Sequence, residues 1–119
     1  MLNGTGVNPV LLDEILPARI GQTWVGRIDI TAEPFGTSTL LLVSSAAIAP
    51  IVHPFGELLI DPAGLLVSPV PGSGGYAFPV PMDAALAGAR IFVQGVVMPF
   101  AQPMPPPYLT NALRVRLGY

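Results

Sequence analysis

The sequence predicts an all-β fold, an antiparallel two-sheet β-sandwich of about seven or eight short strands. Three observations point there. Hydrophobic periodicity is two wherever it is clear, not 3.6. Turn-forming clusters such as "EPFGTS", "APIVHPFG", "DPAG", "SPVPGSGG" and "MPFAQPMPPP" interrupt the pattern at roughly 8–12-residue intervals. Only "MDAALAG" has helical spacing, and it is long enough for a turn near residues 83–88, with Asp83 as its cap and Gly88 as its stop. The 119 residues form one domain, 1–119, with residues 1–16 as an N-terminal lead-in or short strand.

In chain order, a first short strand is expected at Val10–Leu12 within the lead-in. "TWVGRIDIT" then alternates, with Trp24, Gly26, Ile28 and Ile30 on one face and Val25, Arg27, Asp29 and Thr31 on the other. Trp24 falls on the core face. Short strands follow at Ser38–Ala46, Glu57–Ile60 and Leu65–Ser68. "YAFPV" sets Tyr76, Phe78 and Val80 against Ala77 and Pro79. Proline cannot donate to a ladder, so this strand belongs at a sheet edge. "RIFVQGVVM" (Arg90–Met98) is apolar on both faces and reads as a central strand covered on two sides. "ALRVRLGY" closes the pattern, with Leu113, Val115 and Leu117 inward and Arg114 and Arg116 outward.

Composition narrows the function. The hydrophobic fraction is 51%, which argues against disorder. The charged fraction is 10%, against roughly 25% in ordinary soluble domains. Lysine is absent, and the formal net charge is −2. Without a basic stripe, nucleic acid is a poor partner. Without cysteine there are no disulfides and no thiolate metal sites. The opening "MLNGTGVNP" has neither the basic nor the apolar region of a signal peptide. The most apolar run, Ser38–Val52, is broken by Pro50 and is too short for a transmembrane helix.

No catalytic constellation emerges. His53 is the one histidine; a zinc site or catalytic triad needs a histidine with partners, and the context "IVHPFGE" reads as a turn. The carboxylates Asp13, Glu14, Asp29, Glu33, Glu57, Asp61 and Asp83 are scattered without a motif. Asp61 and Asp83 read as turn and cap residues, with a calcium site on either one plus loop carbonyls as the alternative. Asn3-Gly4-Thr5 is a formal glycosylation sequon. Pro105-Pro106-Pro107-Tyr108 matches Pro-Pro-x-Tyr, a polyproline ligand pattern, but a core-patterned strand follows at once, and the segment reads as the loop before it. The expected interaction surface is made of loop residues: Phe35, Phe55, Met98, Phe100, Met104 and Tyr108, with Ile51 and Val70 adding to its apolar character.

Nearly the whole chain resembles a C-terminal β-sandwich module of unknown function found in large secreted proteins of planctomycetes and similar GC-rich bacteria. The resemblance rests on an ordered series: "GTGVNPVLL", "LPARIGQTWVGRIDI", "STLLLVS", "PFGELLIDP", "FPVPMDAALAGARIFVQGVV" and "LTNALRVRLGY". Relatives often carry a cysteine near the first glycine-rich segment, and this chain has none. The resemblance implies a secreted accessory module, with its signal peptide upstream or removed, and supplies no catalytic residues. The expected function is therefore a non-catalytic extracellular structural or interaction module for surface attachment, sorting or self-assembly, without cofactor or metal. Its partners would be a second copy or neighbouring domains of a longer parent. The alternative is a carbohydrate- or other ligand-binding module assisted by calcium.

Overall fold

The computed structural model describes residues 4, 6–33, 37–53, 56–69, 75–99 and 106–118. These form nine strands: β1 (Leu12–Leu16), β2 (Thr23–Ile28), β3 (Ser38–Ser44), β4 (Ala47–His53), β5 (Gly56–Ile60), β6 (Leu65–Val67), β7 (Gly75–Pro79), β8 (Arg90–Met98) and β9 (Tyr108–Arg116). All pairings between them are antiparallel. A three-stranded sheet has the order β1-β2-β7 and a four-stranded sheet the order β6-β3-β8-β9, while β4 and β5 make a separate hairpin. The only helical element among the described residues is a 3-10 turn at Ala84–Leu86; Asp83 accepts the Ala85 N–H at 3.0 Å to cap it.

The main core lies between the two larger sheets. Trp24, Ile28 and Tyr76 from one meet Leu41, Val93, Val97 and Val115 from the other. A second cluster joins Leu42 and Ala112 of the four-stranded sheet to Leu59 and Ile60 of the hairpin. The four-stranded sheet is thus covered on both faces, and the hairpin adds a third layer to the expected pair of sheets. This explains why β8 reads as apolar on two sides: Val93 and Val97 face the main core, while Phe92 packs against the second cluster.

Trp24 is fully buried and stacks on Phe78 at 4.7 Å, and its indole N–H donates to Glu14 Oε2 at 2.8 Å. Its ring lies over Gly26, where any Cβ would collide with Trp24 Cη2 and Cζ2. The glycine is part of the alternating pattern because the indole occupies its side-chain space. Tyr76 crosses between the sheets and shares a 2.6 Å hydrogen bond with the Thr39 hydroxyl.

Three strand assignments differ from the sequence reading; one is the last strand, β9, which opens at Tyr108 and not at Ala112, so Tyr108 is a strand residue and not a loop residue. The first strand runs from Leu12 to Leu16, not from Val10 to Leu12. It buries only Leu12 and carries a register shift between Glu14 and Leu16, so no alternation marks it. The segment around Pro50, read as a turn, is β4, and His53 ends that strand. Its pairing with β5 shifts register between Ala47 and Ile51. Pro79 sits on β7, at the edge of its sheet, as expected.

Candidate interaction surfaces

Lateral closure of the fold depends on buried amides. β9 bulges where Thr110 and Asn111 oppose Gly95, between the Gln94 and Val96 pairings. Gly95 N–H donates to Thr110 Oγ1 at 3.0 Å. The bulge turns Asn111 toward the lead-in, where its Oδ1 accepts the N–H groups of Leu11 and Leu12, both at 2.9 Å, and its Nδ2 donates to Leu12 O at 3.0 Å. Asn8 reaches across to the hairpin: its Oδ1 accepts Glu57 N–H at 2.8 Å and its Nδ2 donates to Glu57 O at 2.7 Å and Thr110 O at 3.0 Å. Gln94 accepts Leu59 N–H and donates to Glu57 O and Thr110 O, each at 2.9 Å. Backbone groups of β5 and the lead-in that have no strand beside them are met by side chains, as buried polar groups require. Sequence reasoning missed these residues, since one amide inside an apolar strand has no periodic signature.

Of the loop residues expected to form a surface, Phe35, Phe55, Phe100, Met104 and Val70 lie outside the described residues. Met98 and Tyr108 are both half-buried. Met98 lines a shallow depression of about 390 Å³ with Ile30, Leu40 and Pro69. Tyr108 opens β9, pairs with Val97, packs against the main core and donates its hydroxyl to Glu33 Oε1 at 2.6 Å. Burial raises the Tyr108 pKa well above the ordinary phenol value, and the Glu33 hydrogen bond and charge raise it further. The aromatic of the Pro-Pro-x-Tyr pattern is therefore engaged by the fold at its ring and at its hydroxyl.

The described apolar surface lies mainly on strands. Exposed Ile15 and Leu16 lie on β1, Ile51 and Val52 on β4, and Leu65 and Leu66 on β6. Val52 is 85% exposed and Leu65 75%. Residues one apart on a strand face opposite ways, and here both members of each pair are exposed, so neither face of these segments is fully covered. A hollow of about 340 Å³ beside Ile15, Val25, Gly75 and Ala77 continues this apolar character over the outer face of the three-stranded sheet.

A cleft of about 410 Å³ of mixed character lies between β1, β2 and β9, lined by Val10, Leu11, Leu12, Asp13, Arg27, Asp29 and Leu113. Asp13 stands opposite Arg27 in the β1–β2 ladder. The Thr31 backbone N–H and hydroxyl hold the Asp29 carboxyl below its usual pKa, and Arg27 acts in the same direction. Of the two residues considered for calcium, Asp83 caps the 3-10 turn and Asp61 accepts Ala63 N–H at 2.9 Å. Among the described residues no three His, Cys, Asp or Glu side chains gather, and no helix is long and apolar enough to cross a membrane. No family model, curated protein or solved structure matches the chain.

Proposed function

We propose that the chain is a non-catalytic structural or interaction module that acts outside the cell, contacting another copy of itself or adjoining domains. The observation that carries this reading is the display of paired apolar side chains on β1, β4 and β6, in a chain with 10% charged residues. Buried polar side chains, by contrast, serve the backbone: Asn8, Gln94 and Asn111 all bond to main-chain groups. Exposed apolar area is a driving force of roughly 25 cal/mol per Å² once covered. Strand edges add main-chain hydrogen bonding to whatever covers them. The secreted setting is supported by the resemblance to modules of large secreted bacterial proteins. Light scattering from micromolar to millimolar concentration tests self-association, with flanking domains added in a second arm. A rise in mean mass, or capture of a flanking domain, is expected; a strict monomer that binds neither would overturn the reading.

A second reading, a carbohydrate-binding module, is favoured by the Asp13–Arg27–Asp29 cleft, whose carboxylates and guanidinium are suited to sugar hydroxyls. A glycan array run with calcium and with EDTA tests it. Binding lost in Arg27→Ala would establish this reading, and an array without signal in either arm would remove it.

A further inference from the structure

We infer that β6 is the self-association edge, pairing antiparallel with β6 of a second copy about a twofold axis through Leu66. The inference rests on the association reading above and identifies its contact. It follows from what occupies each of the other edges.

The outer side of β9 is met by the lead-in at Thr110 and Asn111, where Asn111 N–H donates to Pro9 O at 3.1 Å and Asn8 reaches Thr110 O, and farther along the strand carries the cations Arg114 and Arg116. β5 is closed by the Asn8 and Gln94 amides. Proline interrupts β7 at Pro79 and β4 at Pro50, removing donors from both. β1 has a register shift and carries Asp13 and Glu14. Paired with its own copy, β1 would set carboxylates against carboxylates or beside them, which is unfavourable.

β6 has none of these protections. Its sequence, Leu-Leu-Val, contains no charge and no proline, and its ladder with β3 has no register shift. Among the described residues nothing pairs with its other side. Leu65 and Leu66 are 75% and 62% exposed. A twofold axis at Leu66 sets Leu66 against its copy and Leu65 against Val67, with Gly64 facing Ser68 beyond them. Every cross-strand pair is neutral, and the central one is apolar, so the strand is complementary to itself. The four-stranded sheets of two copies would then join edge to edge. With only three residues in the strand, the contact is weak: dimer at millimolar concentration, monomer at micromolar.

Sedimentation of the full chain over that range tests the inference, comparing wild type with Leu66→Lys, Val52→Lys and Ile15→Lys. Leu66→Lys places two cations across the axis and should weaken dimerisation about tenfold or more, whereas the other two variants should match wild type. If dimerisation is instead lost in Val52→Lys or Ile15→Lys and kept in Leu66→Lys, β6 is the wrong edge although association stands. If wild type is monomeric throughout, association itself falls. Amide hydrogen exchange on the wild-type chain is independent of how the variants fold. Leu65–Val67 should gain protection as concentration rises, and unchanged exchange there in a sample that dimerises would overturn the assignment.

Discussion

At Gly26 the fold leaves room for a hydrogen and nothing larger, because the Trp24 ring lies directly over it. Gly26→Ala must displace the indole from its stack on Phe78 and from its hydrogen bond to Glu14. The expected cost is about 1–3 kcal/mol, the usual range for overpacking, read as a lower urea midpoint at unchanged m-value. Tyr108 offers a test by pH. Its folded-state pKa is raised, so the native chain keeps the phenol protonated while the unfolded chain releases its proton near pH 10. The Tyr108 contribution is therefore fully present below the ordinary phenol pKa and is lost as pH rises above it. Tyr76 is raised as well, by burial, with the Thr39 hydrogen bond acting the other way. Alkaline unfolding should steepen from about pH 10, and Tyr108→Phe should flatten that slope in melts recorded across the range. An unchanged slope would mean that Tyr108 ionises as readily in the folded chain as in the unfolded one.

Between elements, the buried amides do unequal work. Asn111 accepts from two adjacent N–H groups, Leu11 and Leu12, and donates to Leu12 O. Gln94 shares Glu57 O and Thr110 O with Asn8, so its loss strands mainly Leu59 N–H. Each buried group left without a partner costs about 1–3 kcal/mol. Asn111→Leu should therefore destabilise more than Gln94→Met, in denaturant titrations of two variants that keep side-chain volume approximately constant. Elements of this fold were legible in proportion to how regularly they bury one face. β2, β7 and the C-terminal part of β9 alternate because each packs one face against the main core, and the double burial of β8 is visible in its two apolar faces. β1 and β4 were hidden by bulges, with Pro50 giving β4 the look of a turn. The sequence places an apolar surface on loops at Phe35, Phe55, Met98, Phe100, Met104 and Tyr108, of which only Met98 and Tyr108 lie among the described residues. Among the described residues the exposed large apolar side chains lie chiefly on strands, and these were not legible because composition reveals an excess of apolar residues but only topology says which strand ends as an edge.

For the molecule as a whole, low charge determines how association responds to solution conditions. With a net charge of −2 and apolar contacts, self-association should hardly change between low and moderate sodium chloride. It should strengthen in ammonium sulfate, which favours burial of apolar surface. Sedimentation in both salts checks this; dissociation by sodium chloride would instead point to an ionic contact. The amide contacts also join distant parts of the chain. Asn8 bonds to Thr110 O, 102 positions away, and Ile20 N–H donates to Gly118 O at 2.7 Å. β9 also supplies both cores, through Val115 in one and Ala112 in the other. During synthesis the early strands therefore leave the ribosome long before the residues that complete their packing. A nascent chain arrested before β9 emerges should remain protease-sensitive throughout, and resistance should appear in one step once β9 has cleared the exit tunnel. Until then the chain depends on whatever shelters its unfinished sheets.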